Sequence, residues 1–195
     1  PRWSAHREQI FAGRGRRRSL SDRPQVRADG TSLVSTGNIT AQDASMWGVD
    51  TAMNFGSFYL AAEYHHYDIN RTSPVGLTDP EFSGWYVEGS WLLTGESKPY
   101  SAGAKGNEIG SFGNPKVIRP FSLDGDSWGA WELVARYSEI NLNDNEGVFG
   151  AAAPTGGIRG GEQTISTIGI NWYMNNNIKV IVQVEVDGQP RLFTP

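Results

Sequence analysis

The chain has 195 residues, among them 24 glycines, seven tryptophans and no cysteine, with a net charge of −4. That length supports one domain with a sizeable core, while the lack of cysteine excludes a disulfide scaffold and a thiolate metal site. No run of about 18 apolar residues exists to form a transmembrane helix, and the mean hydropathy of −0.44 does not exclude a membrane barrel, in which only every second strand residue meets lipid.

Charge is uneven along the chain. Residues 1–27 hold eight of the 17 Lys and Arg but only two of the 21 Asp and Glu. The cluster Arg14, Arg16, Arg17 and Arg18 has no helix-turn-helix, zinc-finger or RNP-like pattern beside it, so it reads as a polar strand or loop and no nucleic-acid partner is expected. GRGRRRS likewise lacks the spacing and lysine of a phosphate loop. The chain starts at Pro1 without a signal peptide and is read as a fragment of a longer protein.

Residues 1–16 show no clear period and are left unassigned. Residues 17–28 alternate, with Arg17, Arg23 and Arg27 on one side and Leu20, Val26 and Ala28 on the other, although Pro24 removes a ladder donor. Residues 29–40 read as a polar loop. From Ser45 to Asn54, Trp47, Val49 and Met53 oppose Gly48, Asp50 and Ala52; after a turn at Asn54–Gly56, Phe58, Leu60, Ala62 and Tyr64 oppose Tyr59, Ala61, Glu63 and His65. Residues 70–80 form a longer polar connection. In the next strand Trp85, Val87, Trp91 and Leu93 share a face against Tyr86, Glu88 and Ser90. Trp85 and Trp91 lie six residues apart, about 20 Å along a strand, close to the ~25 Å apolar band that barrels edge with aromatic girdles.

Residues 95–125 are a long Gly/Pro/Ser-rich connection, of the length that is usually functional or disordered. Alternation resumes at Trp128–Asn141, with Trp131, Leu133, Ala135 and Tyr137 opposing Glu132, Val134, Arg136 and Ser138. After the polar loop 143–160 comes the clearest pattern in the chain, two strands joined at Asn175–Asn177, a run that tolerates turn dihedrals. Ile168, Ile170 and Trp172 share one face of the first strand. In the second, Ile178, Val180, Val182, Val184 and Val186 oppose Lys179, Gln183, Glu185 and Asp187, with Ile181 the exception. Residues 188–195 form an unassigned tail.

Such strands suit either a soluble sandwich that buries the apolar face or a barrel that turns it to lipid. Short and long connections alternate for much of the chain, and the strand charges Asp50, Glu63, Glu88, Glu132, Arg136, Lys179 and Glu185 share the polar face, which favours the barrel. The expected fold is therefore all-β, an antiparallel transmembrane β-barrel segment spanning residues 17–187. Trp47, Trp85, Trp91, Trp131 and Trp172 would form its aromatic girdles.

Four segments carry a family resemblance: GSFYLAAEY, FSGWYVEGSWLLTGESKPY, RPFSLDGDSWGAWELVARYS and GGIRGGEQTISTIGINWYMNNNIKV. Together they resemble the carboxy-terminal part of the phosphate-selective porin O and P family over residues 18–186. The resemblance implies about seven strands of a roughly sixteen-stranded porin, a homotrimer when complete, located in the bacterial outer membrane among its lipids. It also implies passage of small anions such as phosphate or polyphosphate. The rest of the same barrel would be needed for closure.

No covalent chemistry is expected of a pore, and no cofactor. Anion preference would come from lumen-facing cations: Arg17, Arg23, Arg27, Arg136 and Lys179 as pore-lining residues, with Lys98, Lys116 and Arg119 as constriction candidates on the long connection. The inner acids Glu63, Glu88 and Glu132 weigh against a purely basic pore, either by pairing with arginines or by making the pore unselective. Glu63 and His65 share a face at spacing two but lack a third metal ligand, and Asp124 with Asp126, or Asn143 with Asp144 and Glu146, lack the calcium-loop register. No metal site or catalytic motif is assigned. The rival reading is a soluble β-sheet module that binds carbohydrate through exposed tryptophans.

Overall fold

A computed structural model describes residues 34–72, 77–101, 111–148, 151–152 and 154–188 in full, and the backbone alone of 2–18 and 21–22. The strands are β1 (Arg2–Arg18), β2 (Ser21–Asp22), β3 (Val34–Ser35), β4 (Ile39–Phe55), β5 (Phe58–Arg71), β6 (Glu81–Leu92), β7 (Tyr100–Ser101), β8 (Ser111–Phe112), β9 (Ala130–Asp144), β10 (Ile158–Tyr173) and β11 (Lys179–Asp187). Seven of them form one antiparallel sheet in the order β1-β4-β5-β6-β9-β10-β11; β2 pairs with β3 and β7 with β8 as two-residue ladders. No helix occurs among the described residues. The main sheet does not close on itself, and β1 and β11 are its edges.

Burial on this sheet is the reverse of a soluble protein's. On β10 and β9 the polar-face residues Gln163, Asn171 and Glu132 are 1%, 9% and 0% exposed, whereas the apolar-face residues Ile168 and Ile170 of β10 are 65% and 41% exposed. A soluble sandwich would hide the valines and wet the glutamate; a barrel wall shows its apolar side chains to lipid and folds its polar ones inward. Register joins these choices across strands: Trp172 faces Val180, Ile170 faces Val182 and Ile168 faces Val184, so the exposed apolar surface is continuous. The fold is therefore a segment of a transmembrane-type β-barrel wall.

The five expected girdle tryptophans all lie on this outward face, in two belts. Near one end Phe58 stacks on Trp91 and Trp131 on Trp172; nearer the other, Trp47 meets Tyr64 and Trp85 meets Tyr137, every pair at 5.4 Å between ring centroids. The two short turns, at Gly56–Ser57 and at 174–178, lie at the Trp91 end, together with the long connection 93–129. Gly56 adopts a φ of 59°, which explains why a glycine occupies so tight a turn.

Three segments differ from the sequence reading. Residues 2–16, which have no legible period, form β1 along β4 together with Arg17 and Arg18, the start of the expected strand 17–28, whose residues 19–20 and 23–28 lie outside the described residues; the ladder has irregularities between Gln9 and Phe11 and between Ala12 and Arg16, and each extra residue reverses the parity on which alternation depends. Of the expected polar loop 29–40, residues 29–33 lie outside the described residues, and residues 34–40 are not simply polar loop. Val34 and Ile39 are 1% and 5% exposed and join Ile69, Phe82, Leu142 and Ile158 in an apolar cluster on the inward face, toward the end opposite the short turns. The long connection has its own ladder, β7–β8, and is fastened to the wall: Phe121 N–H donates to the Met174 carbonyl and Val117 N–H to Asn176 Oδ1.

Candidate functional site

Period-two geometry places Glu132, Asn171 and Tyr173 on the inward face, and the β9–β10 register sets Asn171 directly opposite Glu132. The Glu132 carboxylate accepts hydrogen bonds from Asn171 Nδ2 at 2.8 Å and Tyr173 Oη at 2.7 Å. Lys98 Nζ completes the set at 2.8 Å from Glu132 Oε1, with side-chain exposures of 17% for the lysine and 0% for the glutamate. Lys98 also lies over the Tyr59 ring, 4.4 Å from its centroid, and its backbone carbonyl accepts from Asn54 Nδ2 at 2.7 Å. The start of the long connection is thus bound to the inner wall through a charge-assisted cluster.

Beside it, Arg136 Nη1 donates to Glu88 Oε2 at 3.1 Å, and the guanidinium lies 3.7 Å from the centre of the Tyr86 ring. Arg136 pairs with Glu88 across β9 and β6 in register, so strand pairing alone brings them together. Lys98 and Arg136 share a cleft of about 260 Å³ with Tyr59, Glu88, Ser90, Thr167 and Gln183. Two cations, hydroxyls and an amide around a polar pocket can receive a small oxyanion by charge-assisted hydrogen bonds. Each cation already has a carboxylate partner, which lowers the net positive field of the pocket.

The other candidates are dispersed. Lys179 lies on β11, its Nζ 5.3 Å from the centre of the Tyr173 ring. Lys116 and Arg119 are exposed on the connection, and Arg119 lines a separate cleft with Thr94, Glu96 and Asp126. Arg17 lies opposite Thr40 in the β1–β4 ladder, and its side chain falls outside the described residues, as do Arg23 and Arg27. Tyr59 and Tyr86, which cover the two cations, were not singled out from the sequence; their only signal was parity, since both share the face of Glu63 and Glu88.

The family model of phosphate-selective porin O and P matches residues 5–186. The chain belongs to this family. Porin O of Pseudomonas aeruginosa is 29% identical over 140 residues, covering 71% of this chain and 28% of that protein. An uncharacterised protein of Caulobacter vibrioides is 30% identical over 128 residues, covering 66% of this chain and 23% of that protein. This porin O and P chain thus spans about a quarter of the length of these relatives.

Proposed function

We propose that this porin segment forms part of an outer-membrane channel for passive diffusion of small anions, phosphate or polyphosphate, with no covalent chemistry. The observation that carries the reading is the inverted sheet, apolar outside and polar inside, with Lys98 and Arg136 around one inward cleft. Arg17, Arg23, Arg27 and Lys179 would add positive charge along the path, and Lys116 and Arg119 would do so at the mouth beside the long connection. The open edges β1 and β11 call for the rest of the barrel, and trimer assembly is the expected complete form.

A second reading, an unselective general porin, is favoured by one observation: Glu88 and Glu132 offset Arg136 and Lys98. Reversal potential across planar bilayers under a salt gradient decides between them, using the full-length parent protein and its Lys98→Gln/Arg136→Gln variant. Anion-selective current, blocked by phosphate and weakened by the substitutions, supports the anion channel. Selectivity absent from both proteins supports the general porin, and no current from correctly inserted protein refutes both.

A further inference from the structure

On the outward face of β5, past the Trp47–Tyr64 belt and toward the end opposite the short turns, the side chains change from apolar to ligating. His66 and Asp68 are two residues apart on one strand and so share a face, and the β5–β6 register sets Glu81 directly opposite Asp68. His66 Nε2 lies 3.0 Å from Asp68 Oδ1 and 3.7 Å from Glu81 Oε2, and the three ligand atoms all fall within 4.8 Å of one another.

A tetrahedral zinc ion with bonds of about 2.0–2.1 Å holds its ligand atoms about 3.3 Å apart. The two distances measured from the imidazole bracket that value. One ring nitrogen carries at most one N–H, so the imidazole can donate to only one of the two carboxylates beside it, whereas a cation between them would engage all three groups. The surroundings also hold the donors in place: the Trp47 ring packs against the His66 ring at 5.4 Å between centroids, and Ser45 Oγ donates to Asp68 Oδ2 at 3.4 Å. A supporting hydrogen bond to a ligating carboxylate is the usual outer shell of a metal site.

We propose that His66, Asp68 and Glu81 bind a divalent cation of the zinc class, with water completing the coordination. The imidazole sets the preference, because Mg²⁺ and Ca²⁺ take oxygen ligands and zinc takes nitrogen readily. The site faces away from the Lys98–Arg136 cleft and is independent of the permeation reading.

The test is a Zn²⁺ titration of the detergent-solubilised, full-length parent protein after chelator treatment, followed by calorimetry. One saturable Zn²⁺ per chain is expected, little displaced by excess Mg²⁺. His66→Ala and Asp68→Asn should each weaken it by about 100-fold or more, beyond the 10–100-fold that loss of a supporting partner costs. Both variants should keep wild-type channel conductance, which shows that they fold. Absence of saturable binding, binding unchanged in His66→Ala, or binding lost instead in His65→Ala on the opposite face would each overturn the proposal.

Discussion

Glu132→Gln removes one charge from a group with no exposure while keeping its shape, and it leaves the Lys98 ammonium facing an amide at the wall. Breaking a buried ion pair by neutralising one partner costs about 3–5 kcal/mol. The segment keeps other attachments: Asn54 Nδ2 donates to Ser97 Oγ at 2.8 Å and to the Lys98 carbonyl, and Leu93 N–H donates to the Trp131 carbonyl. The loss therefore falls on local detachment of residues near Lys98, not on the whole barrel. At ~1.4 kcal/mol per tenfold, the detached population rises roughly 100-fold or more. Hydrogen exchange at the Gly113 amide, which donates to the Pro99 carbonyl next to Lys98 at 2.9 Å, should accelerate by a comparable factor in the parent protein, and single-channel conductance should increase as the connection leaves the lumen wall. Unchanged exchange and unchanged conductance in a well-inserted variant would refute the idea that this pair fastens the connection.

Glu88→Gln should raise anion preference, because it frees the Arg136 guanidinium, and bilayer reversal potential reads the change directly. Val182→Lys places a charge on the outward face of β11 and should cost about 2–4 kcal/mol if the position lies near the bilayer midplane, seen as poor insertion into liposomes, while Gln183→Lys one residue away should insert normally. Gly129→Ala should destabilise the wall at the Trp91 end by more than about 1 kcal/mol: φ there is 74°, and an added Cβ would fall onto the Tyr173 carbonyl oxygen. Lowered thermal stability in detergent is the readout.

Much of the wall is legible from parity alone. A reader who assigns Trp172 outward and Asn171 inward has placed Val182 and Glu132 as well, because antiparallel register copies the choice from strand to strand. The pairing of Glu88 with Arg136 follows in the same way. What parity does not carry is less visible. Strand β1 hides behind two irregularities in its ladder, and the inward burial of Val34 and Ile39 depends on tertiary contacts with Phe82 and Leu142 that no local pattern encodes. Lys98 reads as a loop cation, and only the path of the connection reveals that its charge meets Glu132. The triad of His66, Asp68 and Glu81 needs the β5–β6 register, since Glu81 lies in a different strand and at the end of a connection whose length does not set the pairing.

The inverted sheet is tested most directly by paired cysteine labelling, with the unsubstituted protein as the control for any thiol outside this cysteine-free chain. Val182→Cys and Gln183→Cys, introduced singly into the full-length parent in proteoliposomes, would be exposed to a water-soluble and then to a lipid-soluble thiol reagent. The account predicts that the position-183 thiol reacts with the water-soluble reagent and the position-182 thiol only with the lipid-soluble one. The opposite assignment, or equal reaction of both thiols with the water-soluble reagent, would contradict a wall with lipid on its valine face and water on its polar face.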